Sequence, residues 1–116
     1  MNVTMREEGP VTVLSLTGRL DLASGSTLKE QIKKLFEKNR FQIHLNLAEV
    51  EFINSSGLGS LVSIMKEVRL LKGRLTISDL ASYVEEIFEI TQLSHIFEVF
   101  PTESEAMASF QPTSVS

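Results

Sequence analysis

The feature that most restricts the fold is the run from Phe41 to Asp79, where two strand-like segments enclose a long amphipathic helix. Phe41, Ile43, Leu45 and Leu47 alternate with Gln42, His44 and Asn46, which predicts a strand with one packed face and one more polar face. His44 is read as a surface histidine on the polar side. Because this is not a continuous apolar run, helices are expected mainly on one face of the sheet. Leu58, Leu61, Val62, Met65 and Val68 then recur at helical spacing. Gly57 and Ile64 fall at the edge of that stripe, either in the core or on the surface. Arg69 and Lys72 suit the last turn of the helix, and Gly73 is the expected residue just past its end. Arg74 to Asp79 is the second strand. A strand, a helix and a further strand imply a right-handed parallel crossover.

The flanking sequence extends this unit. Val3 to Arg6 predicts a short edge strand, Glu7-Glu8-Gly9-Pro10 a turn, and Val11 to Thr17 a strand that pairs back as a hairpin. Gly18 to Leu22 breaks the alternation and is read as a loop. Ser24 to Ser26 are N-cap candidates, and Thr27 with Glu30 has capping-box spacing. Leu28, Ile32, Leu35 and Phe36 share one helical face, closed by Asn39. Beyond Asp79, Ser82 and Glu85 suggest a second capping box opening a helix with Val84, Ile87 and Phe88 inward. Tyr83 reads as helix surface or packing. Ile96 to Phe100 predicts a last strand, and Thr102 with Glu105 opens a terminal helix reaching Phe110. The fold class is therefore α/β, with a mixed sheet of four to five strands. The chain is expected to be one domain, 1–116, with its core at about 3–110 and a frayed tail at 111–116.

Composition removes several functions. There is no cysteine, so disulfides, thiolate metal sites and a cysteine nucleophile are excluded. A net charge of −4 argues against a nucleic-acid-binding surface. No apolar run approaches the ~18 residues of a membrane span, and Met1 to Glu8 has no signal-peptide pattern. A cytoplasmic protein with no nucleic-acid or membrane partner is expected.

Catalytic chemistry finds no constellation. His44 and His95 lack helical partners for zinc, and no second carboxylate has a definable relation to Asp21. Ser55 lacks a G-x-S-x-G elbow, and Gly57 and Gly59 do not make a phosphate-cradling loop. No enzyme activity, cofactor or metal is expected. What remains is the junction Asn54-Ser55-Ser56-Gly57-Leu58-Gly59. On local physics alone it is an Asn-capped helix start.

In sequence context that junction resembles a family signature. Phe52 to Gly59 is similar to the D-S-S-G-L-G motif of bacterial anti-sigma factor antagonists, single-domain members of the STAS family (sulfate transporter and anti-sigma antagonist). Leu16 to Asp21 resembles the family's L-x-G-x-L-D segment, and Leu45-Asn46-Leu47 its L-D/N-L strand ending. The resemblance covers roughly residues 3 to 110 and implies a STAS-type sheet. It also implies a partner-switching regulator: an anti-sigma factor that is a serine kinase binds the unphosphorylated form and phosphorylates the first serine of the pair. A PP2C-type phosphatase then restores it. By position, the phosphorylated residue is Ser55, and the partner-binding residues are Asp21, Asn54, Ser55, Ser56, Gly57, Leu58 and Gly59. The chain departs from the motif at Asn54, where Asp is usual; Asn caps a helix equally well but carries no charge. The alternative is a STAS-type adaptor for a partner other than an anti-sigma factor, never phosphorylated. Small-ligand or nucleotide binding at the same loop is a third reading.

Overall fold

A computed structural model describes residues 1–110. The tail read as frayed, 111–116, lies outside the described residues. Five strands form one sheet in sequence order: β1 (Asn2–Glu8), β2 (Val11–Leu20), β3 (Gln42–Ile53), β4 (Arg74–Ser78) and β5 (Glu98–Phe100). β1 and β2 are the antiparallel hairpin expected, and all later neighbours pair in parallel. Four helices connect or follow them: α1 (Leu22–Glu37), α2 (Ser55–Leu70), α3 (Ser82–Ile90) and α4 (Glu103–Phe110). The α/β class, the mixed sheet and the element order agree with the sequence reading.

One apolar core unites the sheet with three helices. Leu14, Leu16, Ile43, Leu45, Leu47, Leu75 and Ile77 supply the sheet side. Against them pack Leu28, Ile32 and Leu35 of α1, Leu61, Ile64, Met65 and Val68 of α2, and Val84 and Phe88 of α3. Ile64 and Gly57, ambiguous from periodicity, are both buried. The opposite sheet face is crossed by the short α4, whose Ala106 is buried. Glu103 accepts a bond from Asn46 at 2.9 Å, and Arg74 donates to the Ser109 carbonyl at 2.8 Å.

That cover overturns the reading of His44, which is fully buried. Its neighbours on β4, Thr76 and Ser78, are polar and also buried, and each hydroxyl contacts one ring nitrogen, at 2.6 and 2.8 Å. A polar strand face can leave water when its groups bond to one another.

The strand ends differ as well. β2 runs through Gly18–Leu20, the segment read as a loop, and β3 runs six residues past Leu47. The pairing steps from Ser15↔Asn46 to Thr17↔Glu49, and from Gly18↔Val50 to Arg19↔Phe52. At each step β3 gains one residue on β2, a bulge that shifts which side chains face inward. Buried residues therefore fall at Leu47, Val50 and Ile53, three apart, and the alternation that marks a strand is lost.

Helix ends follow their hydrogen bonds. α1 is capped at Asp21, ahead of the expected caps at Ser24 to Ser26 and Thr27, because its first turn is held by Asp21 and Ser24 and shows no apolar stripe. α3 is preceded by Ala81 with no side-chain cap, so the Ser82–Glu85 box does not form. Thr102 does accept from the Glu105 amide, at 3.2 Å. Asn39 closes α1 with φ 59°. At the end of α2 it is Lys72, at φ 59°, that turns the chain left-handed, and not Gly73. Gly73 is needed for space instead: a Cβ there would lie 2.2 Å from the Phe41 carbonyl oxygen.

Candidate functional site

β2 and β3 end together, with Leu20 paired to Ile53, and the next residue of each strand is a helix cap. Asp21 caps α1 and Asn54 caps α2, so the two caps stand side by side at one end of the sheet. The Asn54 amide donates to the Leu20 carbonyl at 3.3 Å. Asp21 and Asn54, 33 positions apart in the chain, are thereby brought together.

The caps are built differently. Asp21 Oδ1 accepts from the Ser24 amide at 3.1 Å, and Ser24 Oγ accepts from the Asp21 amide at 2.9 Å, a reciprocal box. The Ser24 amide, and then its hydroxyl, hold the Asp21 carboxyl below the usual carboxylate range, so it is ionised at neutral pH. Asn54 Oδ1 accepts from the Gly57 amide at 2.9 Å, and no side chain returns the bond. Ser55 and Ser56 are exposed, and among the described residues their hydroxyls make no side-chain hydrogen bond. Gly59 is exposed and Leu58 half-buried.

Gly57 has another task. It is buried, and a Cβ at its position would lie 2.1 Å from the Leu20 carbonyl oxygen. Only a hydrogen fits between the first turn of α2 and the end of β2. Gly25 of α1 likewise leaves room for Ser60 of α2, whose hydroxyl would meet a Cβ at 2.2 Å. These two approaches press the helix starts together and fix Ser55 relative to Asp21. Its burial makes Gly57 a support beneath the predicted contact surface.

Around the caps lie residues the sequence did not single out. Leu22 in the first turn of α1 is 66% exposed. Arg19 stacks over the Phe52 ring at 3.9 Å, a pair made by adjacent strands. On the other flank an open groove of about 410 Å³ runs between α2 and α3, lined by Asn54, Ser55, Leu58, Tyr83, Ile87 and Ile90, among others. The signal for it was present: Tyr83, Ile87 and Ile90 stand at i, i+4 and i+7 of one helix. Among the described residues no group of three or more His, Cys, Asp or Glu side chains is placed to hold a metal ion. No described helix is long and apolar enough to cross a membrane.

A five-stranded mixed sheet with paired, Asx-capped helix starts at the ends of parallel strands defines a class of small α/β module with its polar surface at that end. Comparison with known proteins makes the assignment specific. The STAS domain model matches residues 2–106, and the chain belongs to the STAS domain family. An anti-sigma-B factor antagonist of Listeria monocytogenes is 30% identical over 90 residues, 78% of this chain and 79% of that one. A crystal structure of a Thermotoga maritima protein has 26% identity and a TM-score of 0.86, covering 92% of each chain. SpoIIAA of Bacillus, solved in its phosphorylated form, shares the fold at 20% identity and a TM-score of 0.74, over 95% of this chain and 100% of that one.

Proposed function

We propose that this chain is an anti-sigma factor antagonist of the cytoplasm that works by protein–protein contact and is switched at Ser55. Its partner would be an anti-sigma factor with serine kinase activity, bound through the surface of Asp21, Asn54, Ser55, Ser56, Leu58 and Gly59, with Gly57 beneath. Phosphorylation of Ser55 would release the partner, and a PP2C-type phosphatase would reverse it. The observation that carries this reading is the free, exposed Ser55 hydroxyl at the first position of α2, in a chain similar to an anti-sigma-B factor antagonist.

The local physics favours a switch that leaves the fold intact. A phosphate on Ser55 adds roughly 1.5 to 2 negative charges at pH 7. The helix start offers unbonded amides and the positive end of the dipole, which tolerate that charge. Asn54 is neutral, so the ionised Asp21 is the one cap carboxylate that opposes it. A partner resting on this surface would instead meet a bulky hydrated dianion where a hydroxyl had been. The same neutral Asn54 is what favours the second reading, an adaptor of a different partner whose serine is never modified.

Incubation with the anti-sigma factor kinase of the source organism and ATP, followed by mass spectrometry, separates the two. One phosphate on Ser55, and none on the Ser55→Ala variant, is expected. Ser55→Asp should weaken the complex with the unchanged circular dichroism of a folded chain. No phosphate and no complex would remove the leading reading.

A further inference from the structure

The chain has five arginines, and four of them spend their donors inside the molecule. Arg6 bonds to Glu8 and Glu103, Arg40 to Thr12 and the Gly9 carbonyl, Arg69 to the Ile96 carbonyl, and Arg74 to Glu98 and the Ser109 carbonyl. Arg19 is the exception. Among the described residues its guanidinium makes no hydrogen bond and no ion pair, although it is held in place over the Phe52 ring, 3.9 Å from the ring centre. Such a stack fixes the plane of the guanidinium and leaves its N–H edges free. Asp21, two residues on, does not close the fork, since its Oδ1 accepts from the Ser24 amide. Beside Arg19 is an open hollow of about 550 Å³, lined also by Asp21, Ser24, Thr27 and Glu51, among others. Ser55 is not in its wall; it lines the groove on the other flank, between α2 and α3.

We propose that Arg19 is a specificity-determining contact for the protein partner and receives one Asp or Glu side chain of that partner in this hollow. The identification of the partner as the anti-sigma factor rests on the function proposed above. Phe52 is the positioning residue: it holds the guanidinium in a plane that a carboxylate can match with two parallel bonds. Charge selects the occupant. One cation bordered by the ionised Asp21 and by Glu51 repels nucleic acid and anionic lipid, whose charges come in arrays. At an exposed site it is also too weak to hold a free anion. A single carboxylate carried by a docked protein escapes both limits, because the rest of the interface keeps it in place. Ser55 lies at the other groove, so its phosphate is not the anion that Arg19 takes, and the contact adds partner choice to the switch.

Titration calorimetry of the full chain with the anti-sigma factor of the source organism tests this. Arg19→Gln should weaken binding by about tenfold or more, the usual effect of losing an arginine anchor. Arg19→Lys keeps the charge but not the planar fork, and should recover only part of that loss. Phe52→Leu should weaken binding about threefold in the parent, the worth of an exposed cation–π contact, and not at all in Arg19→Gln. Arg19→Glu should bind worse still, and changing one surface Asp or Glu of the anti-sigma factor to Lys should restore it. Lys34→Gln is the control: it removes the same charge from an exposed site roughly 18 Å along α1 from Leu22, and should change nothing. Because Arg19 is exposed, amide spectra of its free variants should match the parent. Parental affinity in Arg19→Gln, with Ser55→Asp still impaired, overturns the Arg19 contact and leaves the proposed function standing. Equal weakening by Lys34→Gln, or an Arg19→Glu chain that no partner substitution rescues, also overturns it. If the unphosphorylated parent forms no complex with the anti-sigma factor, both ideas fail together.

Discussion

Strand β3 carries polar residues at its start and delivers more just beyond its end, and the protein treats the two sets in opposite ways. Near the start, His44 and Asn46 lie beneath α4 in a closed circuit. Ser78 Oγ donates to Asp79 at 2.7 Å and lies 2.8 Å from His44 Nε2, so it accepts from an Nε2–H; His44 Nδ1, 2.6 Å from Thr76 Oγ1, then accepts from that hydroxyl. Asn46 bridges to Glu103 of α4. Past the end, Ser55 and Ser56 face water with their hydroxyls uncommitted. The contrast follows from burial. A polar group under a helix must find partners or lose free energy, while one at an exposed helix start can keep its bonding capacity for another molecule.

The boundary between closed and open runs through the junction itself, and two glycines mark it. Gly57→Ala should cost roughly 3 kcal/mol or more, because the new methyl meets a backbone carbonyl that cannot rotate away. Gly59→Ala meets nothing within 4 Å and should stabilise the chain by about 0.5–1 kcal/mol through helix propensity. Urea unfolding of the two variants gives the comparison directly. Similar midpoints would mean that the first turn of α2 is not held against β2.

The two polar regions were also unequally legible in the sequence. The open one could be read because its cues are local: an Asx cap, small residues and an apolar stripe within a few positions. Asp21 and Asn54 were both flagged, and the paired ends of β2 and β3 bring them together. The closed one was hidden because its parts come from distant segments, with His44, Ser78 and Glu103 meeting only in three dimensions. Alternation of Gln42, His44 and Asn46 shows that a face is polar, but not whether a later helix covers it. The bulges in β3 misled in the same way, since a gain of one residue on the neighbouring strand turns a period of two into Leu47, Val50, Ile53. The groove on α3 was missed for a further reason: Tyr83 and Ile90 have helical spacing, which usually marks a core face, yet here they point outward.

Acid should distinguish the closed region by its titration. Burial lowers the His44 imidazole pKa to about 4, against a free value of 6.5; the carboxylates of Glu103 and Asp79 oppose this only in part, and Arg6 adds to it. Between those values the unfolded chain binds a proton that the folded chain refuses, so stability falls as pH falls. From pH 7 to pH 5 the loss should be about 2 kcal/mol. Asp21 has a lowered pKa as well, but the stability it adds is lost only as pH drops below its ordinary value of 3.8, outside this window. Glu103 behaves likewise: burial alone would raise its pKa, yet the bonds from Asn46 and Arg6 outweigh burial and leave it below 4.5. Denaturant unfolding at pH 7, 6 and 5 measures the slope, and His44→Gln should flatten it. A parent chain equally stable at pH 7 and pH 5 would contradict a neutral, enclosed imidazole.

The finest comparison sets one serine against another. Ser78 is fully buried, and its hydroxyl is the only group the His44 Nε2–H contacts among the described residues. Ser78→Ala removes that acceptor while the ring stays in place, so the cost should be about 1–3 kcal/mol, the penalty for a buried donor left without a partner. Ser55→Ala removes an exposed hydroxyl that bonds to no side chain, and stability should change by less than about 0.5 kcal/mol. The two substitutions delete the same atom, so the difference in unfolding midpoint at unchanged denaturant slope reports the environment alone. If Ser55→Ala destabilises as much as Ser78→Ala, the Ser55 hydroxyl is part of the scaffold, and its availability as a switch would have to be abandoned.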